Sequence, residues 1–103
     1  ESITFAGWRL DLVRRELRAP TGDVVRLTSQ EFELLATLAR RPGRPLSRDQ
    51  ILDLTASRQW TPYDRSIDVL VGKIRRKIGD EACASRVIKT VRGVGYMFAP
   101  PSS

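Results

Sequence analysis

The segment from 62 to 78 leaves this chain few ways to fold. On a helical wheel at about 100° per residue, Ile67, Leu70, Val71, Ile74 and Ile78 gather on one side, in an arc of roughly a quarter to a third of the circle. That is a core-facing stripe. Arg65, Val69, Gly72, Lys73 and Arg76 fall on the opposite side, with Ser66 beside Lys73. Asp68 and Arg75 lie at one margin and Lys77 at the other. The segment therefore predicts a helix with one side in a core and a basic, acid-free side facing out. Its start is well marked: Thr61 suits the N-cap, Pro62 the first helical position, and Asp64 the positive end of the dipole. Gly79 suits its end.

Two further helices precede it. Thr28-Ser29-Gln30-Glu31 has the pattern of a capping box, and Phe32, Leu35, Leu38 and Ala39 then recur at helical spacing. Arg40 and Arg41 favour the negative end of that dipole, and Pro42-Gly43 stop the helix. Ser47-Arg48-Asp49-Gln50 is a second capping box, opening a shorter helix expected to turn Ile51, Leu52 and Leu54 inward. Residues 55–61 break the apolar period and read as a loop. Before these helices, Ile3, Phe5, Trp8 and Leu10 roughly alternate. Leu12-Val13 and Leu17 follow, then turn residues 20–23 and the short apolar run Val24 to Leu27. This predicts a small antiparallel meander. After the third helix, Val87 to Val91 reads as a strand and Tyr96-Met97-Phe98 as its partner, with Arg92-Gly93-Val94-Gly95 as the hairpin turn. Val91 and Tyr96 are expected to face the core, and Lys89 and Arg92 to flank or occupy the tip.

Composition narrows the function. At 103 residues the chain suits one domain with its own core. It has no His and a single Cys, Cys83, so a disulfide framework and the common zinc sites are excluded. The lone Cys reads as a small hydrophobe and fits a reducing cytoplasm. The usual general base of Ser and Cys hydrolases is missing, and paired carboxylates or a phosphate-binding loop are not evident. An enzyme is therefore not expected, nor are a metal or a cofactor. No apolar run approaches the roughly 20 residues of a membrane span, so a membrane partner is not expected. The net charge of +6 is lopsided: residues 1–57 carry nine basic and eight acidic side chains, residues 58–103 nine and four. A basic half-domain points to a polyanion.

The wheel then gives that charge a shape. A slender helix bearing Arg and Lys suits the major groove of duplex DNA, and an exposed Val69 could meet a thymine methyl. Gly72 inside a helix costs roughly 1 kcal/mol against Ala, which a close approach of another backbone would justify. An Arg-tipped hairpin, made thin by glycines, suits a minor groove. Each feature also has a plainer reading, as a solvated helix face, an incidental aliphatic or an ordinary edge hairpin.

The segments LTSQEFELLATLARRPGRPLSRDQIL, YDRSIDVLVGKIRRKIG and VIKTVRGVGYMF, at this spacing, resemble the effector domain of OmpR/PhoB-type bacterial response regulators, over essentially the whole chain. The resemblance implies an α+β winged helix-turn-helix: an N-terminal antiparallel four-stranded sheet, three helices and a C-terminal β-hairpin wing. It divides the single domain 1–103 into strands over 1–28, a three-helix region over 29–79, a wing hairpin over 86–99 and a frayed tail over 100–103. It implies sequence-specific binding of double-stranded promoter DNA, with helix 62–78 in the major groove and wing 89–96 toward the minor groove. Groove and phosphate contacts fall on Arg65, Ser66, Val69, Lys73, Arg75 and Arg76, and a phosphate contact on Arg48. Wing contacts fall on Thr90 and Arg92, beside Lys89 at the wing. The loop Ala56, Ser57, Arg58, Gln59 and Trp60 matches one that touches RNA polymerase; Trp60 also has a plainer role as a platform under the third helix. Further implied partners are a second copy bound head-to-tail on direct repeats and a sensor kinase acting through a receiver domain absent from this segment. Ala56 stands where some relatives have Trp, and Gly72 where some have a long side chain such as Arg. Two alternatives stay open. An RNA-binding domain would show exposed aromatic stacking residues or a glycine-clamp loop. A protein-interaction module would show an apolar or acidic outer face on the third helix.

Overall fold

The structure, a computed structural model, describes residues 1–55, 66–80 and 87–99. Strands β1 (Ser2–Phe5), β2 (Trp8–Asp11), β3 (Glu16–Arg18) and β4 (Val24–Val25) form the predicted antiparallel meander in chain order. Alternation works as expected: Phe5, Leu10 and Leu17 point into the core. Two expectations fail here. Leu12-Val13 lies in a turn, where Asp11 Oδ1 accepts the Val13 and Arg14 amides at 3.0 and 2.9 Å, and Val13 is exposed. The last strand stops at Val25, because β3 offers partners only for Val24 and Val25 and the chain must then reach the cap of the first helix.

Helix α1 (Ser29–Ala39) begins at the predicted box: Glu31 N–H donates to Thr28 Oγ1 at 3.2 Å, and Thr28 N–H to Glu31 Oε1 at 2.9 Å. It is the hub of the core, with Phe32, Leu34, Leu35, Ala36, Leu38 and Ala39 all buried. Past its end, Arg41 Nη1 donates to the Thr37 carbonyl at 3.3 Å, a cation on the helix's open carbonyls. Helix α2 (Arg48–Leu54) carries the second box, Ser47 with Gln50. Ile51 is fully buried and Leu52 half-buried, but Leu54 is exposed. A seven-residue helix resting on α1 has room for one buried row, and Leu54 falls off it.

Helix α3 (Ser66–Lys77) packs on α1 through the predicted stripe: Ile67, Leu70, Val71, Ile74 and Ile78 are all buried. The hairpin follows as β6 (Ile88–Val91) and β7 (Gly95–Phe98). Phe98 meets Phe5 edge-to-face, with ring centroids 5.1 Å apart at 82°, so the hairpin's base joins the N-terminal sheet across the core. Val87 lies just outside β6; its amide and that of Ile88 donate to the Asp80 carboxylate at 3.1–3.3 Å.

One strand was not expected. Leu46–Ser47 forms β5, which pairs with β7 and makes the hairpin a three-stranded sheet in the order β5-β7-β6. This changes the role of Gly95. It is not a turn residue but the second member of the Ser47↔Gly95 pair, and a Cβ there would overlap the Leu46 carbonyl oxygen. The turn is made by residues 92–94, with Gly93 at φ +79.

Candidate nucleic-acid interface

Because the stripe of α3 is buried, the other side of that helix must face out. Val69 is 55% exposed; Lys73 and Arg76 are exposed, and Gly72 shares their side of the helix. No acidic partner reaches Lys73 or Arg76 among the described residues. Arg76 folds back to donate from Nε to the Gly72 carbonyl at 3.4 Å. A Cβ on Gly72 would meet nothing within 4 Å, so nothing in this chain requires the glycine. The α3 site thus collects the expected Val69, Lys73 and Arg76 around a bare patch of backbone.

Arg75, at the margin of the wheel, turns toward the hairpin. Its Nε and Nη2 donate to the Ile88 carbonyl at 3.2 and 2.7 Å, and Nη2 also donates to Thr90 Oγ1 at 3.0 Å. Arg75 and Thr90 are therefore brought together, with Arg75 acting as a strut between α3 and β6. Lys89 and Thr90 are exposed on β6, and Arg92 is exposed in the turn. The hairpin so exposes Lys89 and Thr90 on opposite faces of β6 and Arg92 in its turn, with Thr90 on the face tied to α3.

Arg48, the first residue of α2, is held rather than free. Its Nε and Nη2 donate to Asp68 Oδ1 at 3.1 and 2.8 Å, in an ion pair about half exposed on both sides. The Tyr96 hydroxyl donates to the same oxygen. The guanidinium carbons of Arg48 and Arg75 lie 5.6 and 5.8 Å from the centre of the Tyr96 ring. The Tyr96 hydroxyl and the Arg48 guanidinium outweigh partial burial and hold the Asp68 carboxyl below the usual carboxylate range. Burial and the bond to Asp68 push the Tyr96 phenol up. Sequence reading missed this cluster. Its members lie 20 and 28 residues apart, so no local pattern announces it.

A second missed pair stands behind the site. Glu31 is buried, and its Oε1 accepts from Lys77 Nζ at 2.6 Å; Lys77 also donates to the Arg26 carbonyl at 2.9 Å. Burial raises the Glu31 carboxyl, but Lys77 and the Thr28 amide and hydroxyl together hold it below its ordinary value. The pair fixes the rotation of α3 on α1, and with it the direction of the basic face. Arg65 and the loop at 56–60 lie outside the described residues, and Ser66 is the first residue of α3.

Residues 22–98 match the family described as "Transcriptional regulatory protein, C terminal". The chain is 46% identical over 99 residues to the transcriptional regulatory protein AruR of Pseudomonas aeruginosa, covering 96% of this chain and 41% of AruR. It is 44% identical over 97 residues to the regulatory protein VirG of Agrobacterium fabrum, covering 94% of this chain and 38% of VirG. The chain thus spans about two fifths of the length of these curated relatives. Its fold superposes with a TM-score of 0.84 on the RstA DNA-binding domain of Klebsiella pneumoniae, solved in complex with the RstA box. That match is 35% identical and covers 98% of this chain and 99% of the other.

Proposed function

We propose that this chain, which belongs to the family of C-terminal effector domains of OmpR/PhoB-type response regulators, is a winged-helix domain that binds double-stranded DNA sequence-specifically and regulates transcription. The observation that carries this reading is the outward side of α3. Lys73 and Arg76 stand there without acidic partners among the described residues, beside an exposed Val69 and next to a hairpin tipped by Arg92. A helix so charged fits a major groove, and a basic turn fits the narrow groove beside it. Arg48, Arg65, Ser66, Val69, Lys73, Arg75 and Arg76 are the groove and phosphate contacts of this reading, and Lys89, Thr90 and Arg92 those of the wing.

The reading extends to partners. Two copies bind head-to-tail on direct repeats. The loop at 56–60 touches RNA polymerase on the neighbouring promoter DNA, in the bacterial cytoplasm. A sensor kinase acts through a receiver domain encoded elsewhere in the protein. The test of the loop is to change Arg58 and Gln59 to Ala: DNA affinity stays and activated transcription in vitro falls. If both fall together, the loop is part of the DNA interface.

The test of the main reading is selection of bound sites from a random duplex pool, followed by a salt titration on the selected site. Affinity is expected to fall steeply, with log K changing by about 0.9 per neutralised phosphate for each unit of log salt. Lys73→Ala and Arg65→Ala are expected to weaken binding about tenfold or more without unfolding the domain, and a base-reading contact also relaxes preference at one position. A flat titration, or equal preference for single-stranded RNA, overturns the reading.

A further inference from the structure

An acid stands at the margin of this basic surface, and that is its least expected feature. Asp68 lies on α3 one residue from the exposed Val69, where a bare carboxylate would repel phosphate. It is not bare. One oxygen, Oδ1, takes two N–H donors from Arg48 on α2 and the hydroxyl of Tyr96 on β7. Arg75, two turns further along α3, reaches the other strand of the hairpin through Ile88 and Thr90 and lies beside the same tyrosine ring. Three separately encoded pieces, α2, α3 and the wing, therefore meet at one carboxylate oxygen.

We infer that Asp68 is a positioning and specificity-determining residue for DNA binding, which locks the Arg48 guanidinium and the wing in register with α3 and keeps Arg48 from serving as a general phosphate anchor. This rests on the DNA-binding reading above. A guanidinium has five N–H donors, and Asp68 engages two of them. The side chain is still half exposed, so a phosphate can share it, but only along the direction that the clamp and the Tyr96 ring leave open. A duplex seated with α3 in its groove brings a phosphate along that line. A duplex bound in any other register meets a cation whose charge is already matched. The clamp thus subtracts from non-specific attraction more than from the specific complex.

The experiment compares the chain with Asp68→Asn, Arg48→Ala and the double variant. Each is titrated against its selected duplex and a scrambled duplex over a range of salt. Asp68→Asn keeps an oxygen for the Tyr96 hydroxyl and removes the charge. Binding to the scrambled duplex is expected to tighten roughly two- to fivefold, the scale of a half-exposed ion pair. Its salt slope should steepen by about 0.9, one further phosphate. The ratio of selected to scrambled affinity should fall. Adding Arg48→Ala should return the slope to that of the parent chain, and Arg48→Ala alone, which also bares the Asp68 carboxylate, should weaken both duplexes but the selected one more. The inference is overturned if Asp68→Asn leaves slope and ratio unchanged, or if Arg48→Ala weakens both duplexes equally. It is also overturned if Asp68→Asn weakens both in parallel with a lowered melting temperature, as a purely structural residue would. If the parent chain distinguishes no duplex from its scrambled form, the DNA-binding reading itself fails, a result separate from these.

Discussion

The two sheets of this domain use their basic side chains to opposite ends. In the N-terminal meander two of the cations are paired at short range and the others share a hollow with carboxylates. Arg15 pairs with Glu33 at 3.0 Å and lies 4.3 Å from the centre of the Phe32 ring; Arg18 reaches Glu16 at 3.8 Å. The open hollow on that sheet is lined by Arg9, Asp11, Arg14, Glu16 and Arg18, an almost balanced set. At the hairpin and α3, Lys73, Lys89 and Arg92 have no acidic partner among the described residues. The lesson is that net charge alone says little about a polyanion site. What matters is where the carboxylates are withheld, and where one is kept it is clamped, as Asp68 is.

The comparison can be broken most severely at Gly95, the point where β5 touches the wing. Gly95→Ala forces a Cβ into the Leu46 carbonyl, which only backbone movement can relieve. We expect a loss of about 3 kcal/mol or more, read from denaturant unfolding, with DNA binding lost alongside. The N-terminal sheet should tolerate a similar change far better, for instance at exposed Gly22 of its turn, although the positive φ there adds strain.

Next in size is Lys77→Ala, which strands the buried Glu31 carboxylate. Since Lys77 is one-third exposed, water replaces part of the loss, and we expect about 2 kcal/mol rather than the larger cost of a fully buried pair. The pH dependence has a definite sign. Glu31 titrates lower in the folded chain than its ordinary value of 4.5, so its contribution is complete above that pH and is lost as pH falls through the depressed value. The variant's melting temperature should therefore converge on the parent's in acid. A constant gap across pH 3 to 7 contradicts this, where the window is about that of carboxylate titration.

Gly72→Ala should act in the opposite direction. The site is open, and alanine in a helix interior is favoured by roughly 1 kcal/mol, so a thermal melt should show a gain. If affinity for the selected duplex drops while stability rises, the bare backbone on the outer face is there for the DNA. The smallest effect is expected on the first sheet: Arg18→Ala should change DNA affinity less than about twofold, because its charge is already matched at the surface. A tenfold loss would mean the meander belongs to the interface.

Much of this was legible in the sequence, for a physical reason. Capping boxes and apolar stripes are local: Thr28 with Glu31, Ser47 with Gln50, and Ile67 to Ile78 all declare themselves within a turn or a few turns. The three-helix order and the outward side of Val69, Lys73 and Arg76 follow from those, and the resemblance to a known family implied the winged-helix motif. What escaped was non-local. The strand at Leu46–Ser47 is too short to alternate and takes its identity from Tyr96 and Gly95. Gly95 itself looked like turn chemistry because its real neighbour lies far back in the chain. The Arg48–Asp68–Tyr96 cluster and the Lys77–Glu31 pair join different elements, which no periodicity encodes. Leu54 failed for the complementary reason, an apolar residue with no buried row left to join.

The pairing of β5 with β7 also bears on how the domain comes together in time. The meander closes through near neighbours, Ser2 with Asp11 and Arg9 with Arg18, so it can zip early with little loop entropy to overcome. In the second sheet the β6–β7 hairpin is equally local, but β5 must bring position 46 to position 96 before it can join. Contacts of such high sequence separation slow folding and come late unless a nucleus already holds the ends close. Within this fold the packing of α1 against α3 is the part able to serve as that nucleus. The wing then docks last, onto helices already in place, and its docking sets β5 and the cap of α2 at the same moment. The wing's share of the surface proposed for DNA is thus expected to complete after the share that α3 carries.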